Sequence, residues 1–308
     1  MECKESGARG AFGAVRRLCT PLLPQRLVSR PRLSSPMKPQ EIEPPEELRN
    51  AIKCFWHNTL DFGELPSDFE VLPDGYAEII FHFGSTCSIA TAEGWQPLPS
   101  PFLMGLLNQP VRLRATNRLE VIGVRCYPWT VFELLGLAPG KGGVRVFEHP
   151  IAQLQAPLQQ AIGAGHVAEA LAQVSQYFLA AHARLASDST LGKAGGAMRA
   201  AHGALPVSQV AAAAHATVRT LERKFKQAAG HTVKDVSGLM RFEQVRNHLW
   251  LTPAANLAGL AQELGYVDQA HLSREFKRYS GTTPAAFARK AQRGQQVVSP
   301  DFVAFVQA

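Results

Sequence analysis

A pattern of two short helices joined by a turn occurs twice in the last third of this 308-residue chain, and it constrains the fold more than any other feature. In the second copy, apolar residues recur at helical spacing over residues 257–264, and Gly265 supplies a left-handed turn. Asp268 can then cap the next helix, whose buried face carries Leu272 and Phe276. This order predicts a helix-turn-helix unit with its second helix presented to solvent.

The first copy has the same order, with Leu221 in the place of Leu272. Thr217 caps its second helix, and His215 takes the place of the turn glycine. Histidine tolerates a positive φ better than β-branched residues do, although less well than glycine. Apolar residues over 236–249 predict a long helix between the copies, so the sequence indicates an all-α C-terminal domain of two units joined by that helix.

The charge distribution separates this region from the rest of the chain. The formal net charge is +7, and Lys and Arg outnumber Asp and Glu by fifteen to six over residues 191–295. Residues 41–190 carry nine basic and sixteen acidic residues, whereas residues 1–40 carry eight basic and two acidic residues. A basic last third beside a modestly acidic middle predicts two domains with different functions. The basic domain is expected to bind an anionic partner.

The outward face of each predicted second helix carries side chains that hydrogen-bond base edges and phosphates. They are Arg219, Glu222, Arg223 and Lys226 in the first unit, and Gln269, His271, Arg274 and Lys277 in the second. Two such units on one linking helix would enter adjacent turns of the major groove, about 34 Å apart on one face of the DNA. The pattern therefore predicts double-stranded DNA as the partner.

Several segments of the basic third match one known family pattern. They are Leu221–Lys226, Gly230–Thr232, Arg241, Leu260–Tyr266, His271–Arg278 and Gly281–Pro284. On these segments, residues 196–292 resemble the DNA-binding domain of the AraC/XylS family of bacterial transcription regulators. Three positions depart from the family pattern: His215 replaces the turn glycine, Lys224 an apolar residue, and Val245 a common alanine.

The resemblance implies which side chains face the bases. Carried over position by position, they are Arg219, Glu222 and Arg223 in the first unit and Ala270, His271 and Arg274 in the second. Ala270 offers only apolar contact, for example to a thymine methyl group. For Arg223 and Arg274, a base contact, a phosphate contact and a structural pairing with a carboxylate are all open. The resemblance implies promoter DNA as partner and leaves RNA polymerase, a small-molecule effector and a second copy of the chain open.

The region before the basic third has a different pattern. Short apolar runs between turn residues predict strands at Ala77–Phe83, Val111–Arg114 and Leu119–Cys126. Leu48, Ile52 and Phe55–Trp56 lie at helical spacing just before these strands. Apolar stripes over residues 151–162 and 167–178 predict two amphipathic helices, which pack within the chain or, as the alternative, against a second copy.

This region also resembles, more weakly, the β-rich sensor domain of one branch of the same regulators. The matching segments are Cys54–Trp56, Val71–Gly75, Ile79–Phe81, Ile122–Arg125 and Tyr127–Pro128. Such domains are often cupin-like barrels that bind an effector or dimerise. The predicted fold class is therefore α+β, with a β-rich, cupin-like N-terminal domain and an all-α C-terminal domain.

Composition shifts give the predicted domain boundaries. They are a disordered leader or start-site extension at 1–36, an N-terminal domain at 37–186, a linker at 187–196, the DNA-binding domain at 197–292 and a tail at 293–308. The linker prediction rests on the small, polar and glycine-rich composition of its residues. The leader prediction rests on Met37, which precedes an acidic, proline-containing run typical of a protein's beginning.

The sequence contains few of the residue patterns that are typical of catalytic, metal or cofactor sites. His57, His82 and His149 form no H-x-H pair, and the five cysteines form no C-x-x-C pair, so we predict neither a metal nor another cofactor. The glycine-rich residues 136–143 are one residue short of a phosphate loop and lack its Ser or Thr. No apolar run approaches ~18 residues, which predicts no membrane span, and the cysteine pattern fits a reducing cytoplasm.

One pair of carboxylates leaves two interpretations open. Asp74 and Glu78 could bind a ligand in a pocket lined by Trp56 and Phe81. The favoured alternative is a turn aspartate, an exposed strand glutamate and two core aromatic residues.

The sequence therefore predicts a sequence-specific transcription regulator without catalytic residues, controlled by an effector or by dimerisation through its N-terminal domain. Two alternatives remain at this stage. One is a ligand-binding or catalytic N-terminal module with accessory DNA binding, and the other is nonspecific architectural DNA binding.

Overall fold

The computed structural model describes residues 40–140, 143–184 and 189–292, together with the backbone of residues 305–307. The predicted leader and most of the predicted C-terminal tail lie outside these residues. Strands dominate the described chain up to residue 145, and helices dominate it from residue 150 onwards.

Two antiparallel sheets form the β-rich region. The strands are β1 (Gln40–Ile42), β2 (Ile52–Asp61), β3 (Ser67–Val71), β4 (Ala77–Gly84), β5 (Ser88–Thr91), β6 (Gly94–Pro97), β7 (Phe102–Met104), β8 (Val111–Ala115), β9 (Arg118–Cys126), β10 (Val144–Arg145) and β11 (Phe305–Gln307). The first sheet has the order β1-β2-β9-β4-β7-β10, and the second has the order β11-β3-β8-β5-β6. The three predicted strands are confirmed as β4, β8 and β9.

The first sheet is buried on both of its faces, which explains an error of the sequence prediction. Phe55 packs on one side with the helices, whereas its neighbour Trp56 packs on the other side with the second sheet. Strand β2 is therefore buried almost throughout, His57 and Asn58 included, and its burial does not alternate. The helix indicated by the spacing of Leu48, Ile52 and Phe55–Trp56 is therefore wrong, because residues 52–61 form a strand.

Three helices cover the outer face of the first sheet. They are α1 (Thr130–Leu135), α2 (Gln155–Gly163), which follows a 3-10 turn over Pro150–Leu154, and α3 (Val167–His182). Phe178 on α3 packs against Phe55 on β2 with 6.1 Å between the ring centroids. The two predicted amphipathic helices are confirmed, and their apolar stripes pack within the chain.

Over the described residues 189–292, seven helices follow and contain both predicted helix-turn-helix units. They are α4 (Thr190–Ala200), α5 (Val207–Ala213), α6 (Val218–Ala229), α7 (Val233–Leu251), α8 (Leu257–Glu263), α9 (Gln269–Ser280) and α10 (Pro284–Gln292). The first unit is α5 with α6, the second is α8 with α9, and α7 is the long linking helix.

The local geometry of both units agrees with the sequence prediction. Thr217 accepts a hydrogen bond from the Thr220 N–H at 3.2 Å, and Asp268 accepts one from the His271 N–H at 2.6 Å. Gly265 has a φ of 71°, and His215 in the first unit has a φ of 51°. The histidine therefore adopts the left-handed turn that the glycine provides in the second unit.

The predicted linker is wrong from residue 190 onwards, because α4 occupies this part of the chain. Ser189 caps the helix by accepting a hydrogen bond from the Gly192 N–H at 2.8 Å. Gly195 faces the Trp129 ring, and a Cβ built on it would overlap that ring. Glycine at this position therefore permits close packing and does not indicate a flexible connection.

Candidate nucleic-acid interface

Most of the predicted contact residues are exposed on the outward faces of α6 and α9. They are Arg219, Arg223 and Lys226 on α6, and Gln269, Ala270, Arg274 and Lys277 on α9. Leu221 and Phe225 on α6, and Leu272 and Phe276 on α9, are buried on the opposite faces. Each second helix is thus anchored by apolar residues and presents basic ones.

Glu222 takes part in a contact inside the first unit. Its Oε2 accepts a hydrogen bond from the Val233 N–H at 3.1 Å, at the start of α7. A carboxylate at a helix N-terminus is favoured by the helix dipole and by the free N–H groups there. Glu222 therefore braces α6 against α7.

His271 is half-buried and belongs to the turn of the second unit. The Val267 N–H donates to its Nδ1 at 3.4 Å, and the Tyr266 ring lies edge-on to its ring at 5.3 Å between centroids. Val267 itself is 87% exposed, and Val218 at the start of α6 is 43% exposed. Sequence reasoning missed these two valines, although an apolar residue next to a helix cap and outside the buried register is a signal for them.

Arg223 and Arg274 make no ion pair within the part of the chain that the structure describes. Other arginines of the domain do: Arg241 lies 3.2 Å from Glu275, Arg246 lies 3.7 Å from Glu243, and Arg278 lies 3.5 Å from Asp235. The structural pairing that remained open for Arg223 and Arg274 therefore finds no carboxylate among the described residues.

Arg241 ties the second unit to α7. Its Nη1 donates to the Gly203 carbonyl oxygen at 2.9 Å, and its Nη2 lies 3.2 Å from Glu275 Oε1 on α9. Its guanidinium also lies 5.1 Å from the centre of the Tyr266 ring. Arg241 thus contacts both Tyr266 in the turn of the second unit and Glu275 on the inner side of α9.

The carboxylates Asp74 and Glu78 meet Arg125 in the β-rich region. Arg125 Nη2 donates to Asp74 Oδ2, and its Nε lies 3.5 Å from Glu78 Oε1. Glu78 is only 4% exposed, and burial raises the pKa of its carboxyl group. The predicted exposed strand glutamate is therefore wrong, whereas Trp56 and Phe81 are core residues as predicted.

The same turn lies against the linking helix α7. Arg246 Nη1 on α7 donates to the Pro73 carbonyl oxygen at 3.3 Å, and a Cβ on Gly75 would lie 3.2 Å from Glu243 Oε2. Polar groups of the β-rich region thus contact the helix that carries both helix-turn-helix units.

Two cavities lie near these groups. One, between the sheets, has a volume of about 30 Å³ and is lined mainly by apolar residues with Glu78 and His82. The other, of about 200 Å³, lies between the turn and α7 and is lined by Tyr76, Tyr127, Arg199 and Glu243 among others. The first is large enough for a water molecule, and the second for a small organic molecule.

The remaining metal-ligating and thiol side chains of the described residues form no further site. No cluster of three or more His, Cys, Asp and Glu side chains there is arranged to hold a metal ion. Cys54, Cys87 and Cys126 are free and buried, and burial raises the pKa of each thiol. None of the described helices is long and apolar enough to cross a membrane.

Comparisons with known proteins address both regions. Residues 210–290 match a family model described as a helix-turn-helix domain, and residues 40–141 match one described as a domain of unknown function. No curated protein sequence matches the chain.

Several solved structures are similar to the chain. ToxT from Vibrio cholerae O395 is 11% identical with a TM-score of 0.41, over 76% of this chain and 97% of that one. The DNA-binding domain of AdpA in complex with a target DNA is 26% identical with a TM-score of 0.32, over 36% of this chain and 100% of that one. A transcriptional regulator with an AraC-type DNA-binding domain from Chromobacterium violaceum is 22% identical with a TM-score of 0.32, over 34% of this chain and 94% of that one.

Proposed function

We propose that this protein, whose residues 210–290 are an AraC-type helix-turn-helix domain, is a sequence-specific transcription regulator that contacts promoter DNA through both α6 and α9. The observation that carries the proposal is the pair of capped helices that present basic faces from one linking helix. A helix of this kind enters the major groove with its N-terminal residues against the base edges.

The exposed side chains divide into three proposed roles. Arg223 and Arg274 read bases, because an arginine fork matches the O6 and N7 atoms of guanine. The side chains proposed to contact phosphates or neighbouring groups at the edge of the groove are Arg219, Lys226, Gln269 and Lys277. The apolar side chains proposed to contact thymine methyl groups are Val218, Val267 and Ala270. Glu222 and His271, which the family pattern places toward the bases, are proposed to hold the helices in position through their contacts within the units.

The β-rich region is the proposed regulatory module. Its contacts with α7 give an effector or a second copy of the chain a direct route to the DNA-binding helices. RNA polymerase is a further proposed partner, and a role on chromosomal DNA implies the bacterial cytoplasm as the site of action.

A binding titration across salt concentrations tests the proposal. Purified protein is titrated onto a DNA sequence selected from a random pool and onto scrambled DNA of equal length. We expect the selected sequence to bind at least about 10³-fold more tightly, and log K to fall with log salt by about 0.9 per phosphate contact. Equal affinity for both DNAs would indicate nonspecific architectural binding, and no salt-dependent binding to either would reject a DNA-binding function.

A further inference from the structure

We infer that Trp129, a residue of the β-rich region, is a positioning residue for the first recognition helix, α6. The inference rests on the proposed function, since it assigns a DNA-reading consequence to a contact outside the helix-turn-helix domain. Trp129 lies directly before α1 and is fully buried. It belongs to the same hydrophobic cluster as Leu221 and Phe225 on the inner face of α6.

The ring of Trp129 lies inside a stack that joins the two regions. The Phe225 ring centroid is 5.6 Å away, and the two ring planes are tilted by 56°. On another side, the Tyr127 ring lies 5.7 Å away and nearly parallel, and the Arg199 guanidinium covers Tyr127 at 4.0 Å. Aromatic pairs at these separations stabilise a fold beyond the effect of the apolar area that they bury.

Helix α4 closes the space around the same ring. Gly195 leaves no room for a Cβ against Trp129, so the indole lies directly on the α4 backbone. The indole N–H has no hydrogen-bond partner among the described residues. The position of the indole ring is therefore set by close packing against its neighbours and not by a hydrogen bond of its N–H group.

Two further contacts hold the C-terminal end of α6 against the β-rich region, and a charge on α6 acts on that region. Burial raises the pKa of the Glu133 carboxyl group on α1, whereas a hydrogen bond with Ser189 and the positive charge of Lys224 lower it. A Cβ on Gly230 would lie 3.0 Å from Pro139. His231 Nε2 lies 3.0 Å from the Leu106 carbonyl oxygen. Lys224, where the family pattern has an apolar residue, thus faces a carboxylate of the neighbouring region.

Within the described residues, the aromatic contacts of the second recognition helix, α9, do not involve the β-rich region. Phe276 on α9 contacts the rings of Phe242 at 5.0 Å and Phe287 at 5.4 Å, and Tyr279 contacts Phe242 at 5.3 Å. All four rings belong to the helical region. Withdrawal of Trp129 would therefore leave a hole beneath α6 and leave the packing of α9 intact.

Two adjacent glycines of α4 provide a matched test in the full-length chain. Gly195→Ala adds a methyl group that overlaps the Trp129 ring, whereas a Cβ on Gly196 meets no atom within 4 Å. Both substitutions raise helix propensity by the same amount, so the comparison isolates the displacement of the ring. The readouts are amide hydrogen exchange in α6 and α9, and a hydroxyl-radical footprint on the DNA that wild-type protein selects.

For Gly195→Ala, we expect amide exchange in α6 to become between about fivefold and a hundredfold faster, with α9 unchanged. The footprint should lose one of its two protected patches. Gly196→Ala should match wild type in both readouts. Trp129→Phe should keep both patches, because the ring stack survives, and Trp129→Ala should behave like Gly195→Ala.

Two results would overturn the inference. The first is that the Gly195→Ala protein behaves like the Gly196→Ala protein in both readouts. The second is that amide exchange becomes faster by the same factor in α6 and α9, because this would indicate general loosening of the fold. Failure of wild-type protein to bind DNA would reject the proposed function alone, because the exchange measurement needs no DNA and still tests the position of α6.

Discussion

The two helix-turn-helix units share a sequence pattern and differ in what supports them. In the first unit, Phe225 packs against Trp129 of the β-rich region. In the second, Phe276 packs against Phe242 and Phe287 of the helical region itself. A repeated motif therefore fixes the local fold of both units without making them equal modules. Under the proposed function, the first unit is therefore the one through which the β-rich region would act on DNA binding.

Truncating the central phenylalanine of each unit should have the largest effect. Phe225→Ala and Phe276→Ala should each lower the free energy of unfolding by about 3–5 kcal/mol, because each leaves a cavity in a closed core. Denaturant unfolding measures the loss, and amide exchange locates it. Phe225→Ala should loosen α1 and α4 around Trp129, whereas Phe276→Ala should loosen α10. Faster exchange in α1 for Phe276→Ala would contradict the difference between the units.

Removing the arginine that anchors the second unit should have the next largest effect. Arg241→Gln should lower the free energy of unfolding by about 3 kcal/mol, because Glu275 is left partly buried without its cation. Arg278→Gln is the control, since its pair with Asp235 is exposed at the arginine and should cost less than about 1 kcal/mol. Equal losses for the two variants would show that Arg241 is no anchor.

Removing the arginine that is proposed to read bases in each unit should weaken DNA binding and leave stability unchanged. Arg223→Ala and Arg274→Ala should each weaken binding to the selected DNA by about 1–3 kcal/mol and relax specificity at different base pairs. Competition titrations with single-base-pair variants of the site measure this. An equal loss on scrambled DNA would reassign the arginine to a phosphate.

Replacing Lys224 by the apolar residue usual in the family should have the smallest and most pH-dependent effect. Burial raises the pKa of Glu133, so this group contributes stability at low pH that is lost as the pH rises through its folded-state pKa. Lys224 reduces this loss of stability, because its positive charge favours the ionised form of Glu133. Lys224→Met should therefore lower stability by up to about 1 kcal/mol at pH 7 and by almost nothing well below the usual carboxyl range. Unfolding curves over this range test it, and a constant difference between the proteins would exclude Glu133 as the cause.

The features predicted correctly from the sequence are local ones. Thr217, Asp268, His215 and Gly265 act within a few residues of their own position, so capping and turn chemistry is readable along the chain. The exposed basic faces can be predicted from the helical period, because the positions of the buried leucines determine which residues lie on the opposite face of each helix.

The features that were missed depend on residues far apart in the chain. The burial of Glu78 follows from Arg125 on another strand, and the helix at residues 190–200 follows from the packing of Gly195 on Trp129. Strand β2 was misread because a sheet covered on both faces does not alternate. Glu222 has the right register to face DNA, and only its contact with Val233 on the next helix shows that it also stabilises the first unit.

A hydroxyl-radical footprint of the wild-type protein on its selected DNA tests the central claim most directly. Two recognition helices on one rigid linking helix predict two protected patches on one face of the duplex, with centres about 34 Å apart. A single protected patch, or continuous protection without preferred positions, would contradict the claim that both α6 and α9 read the DNA.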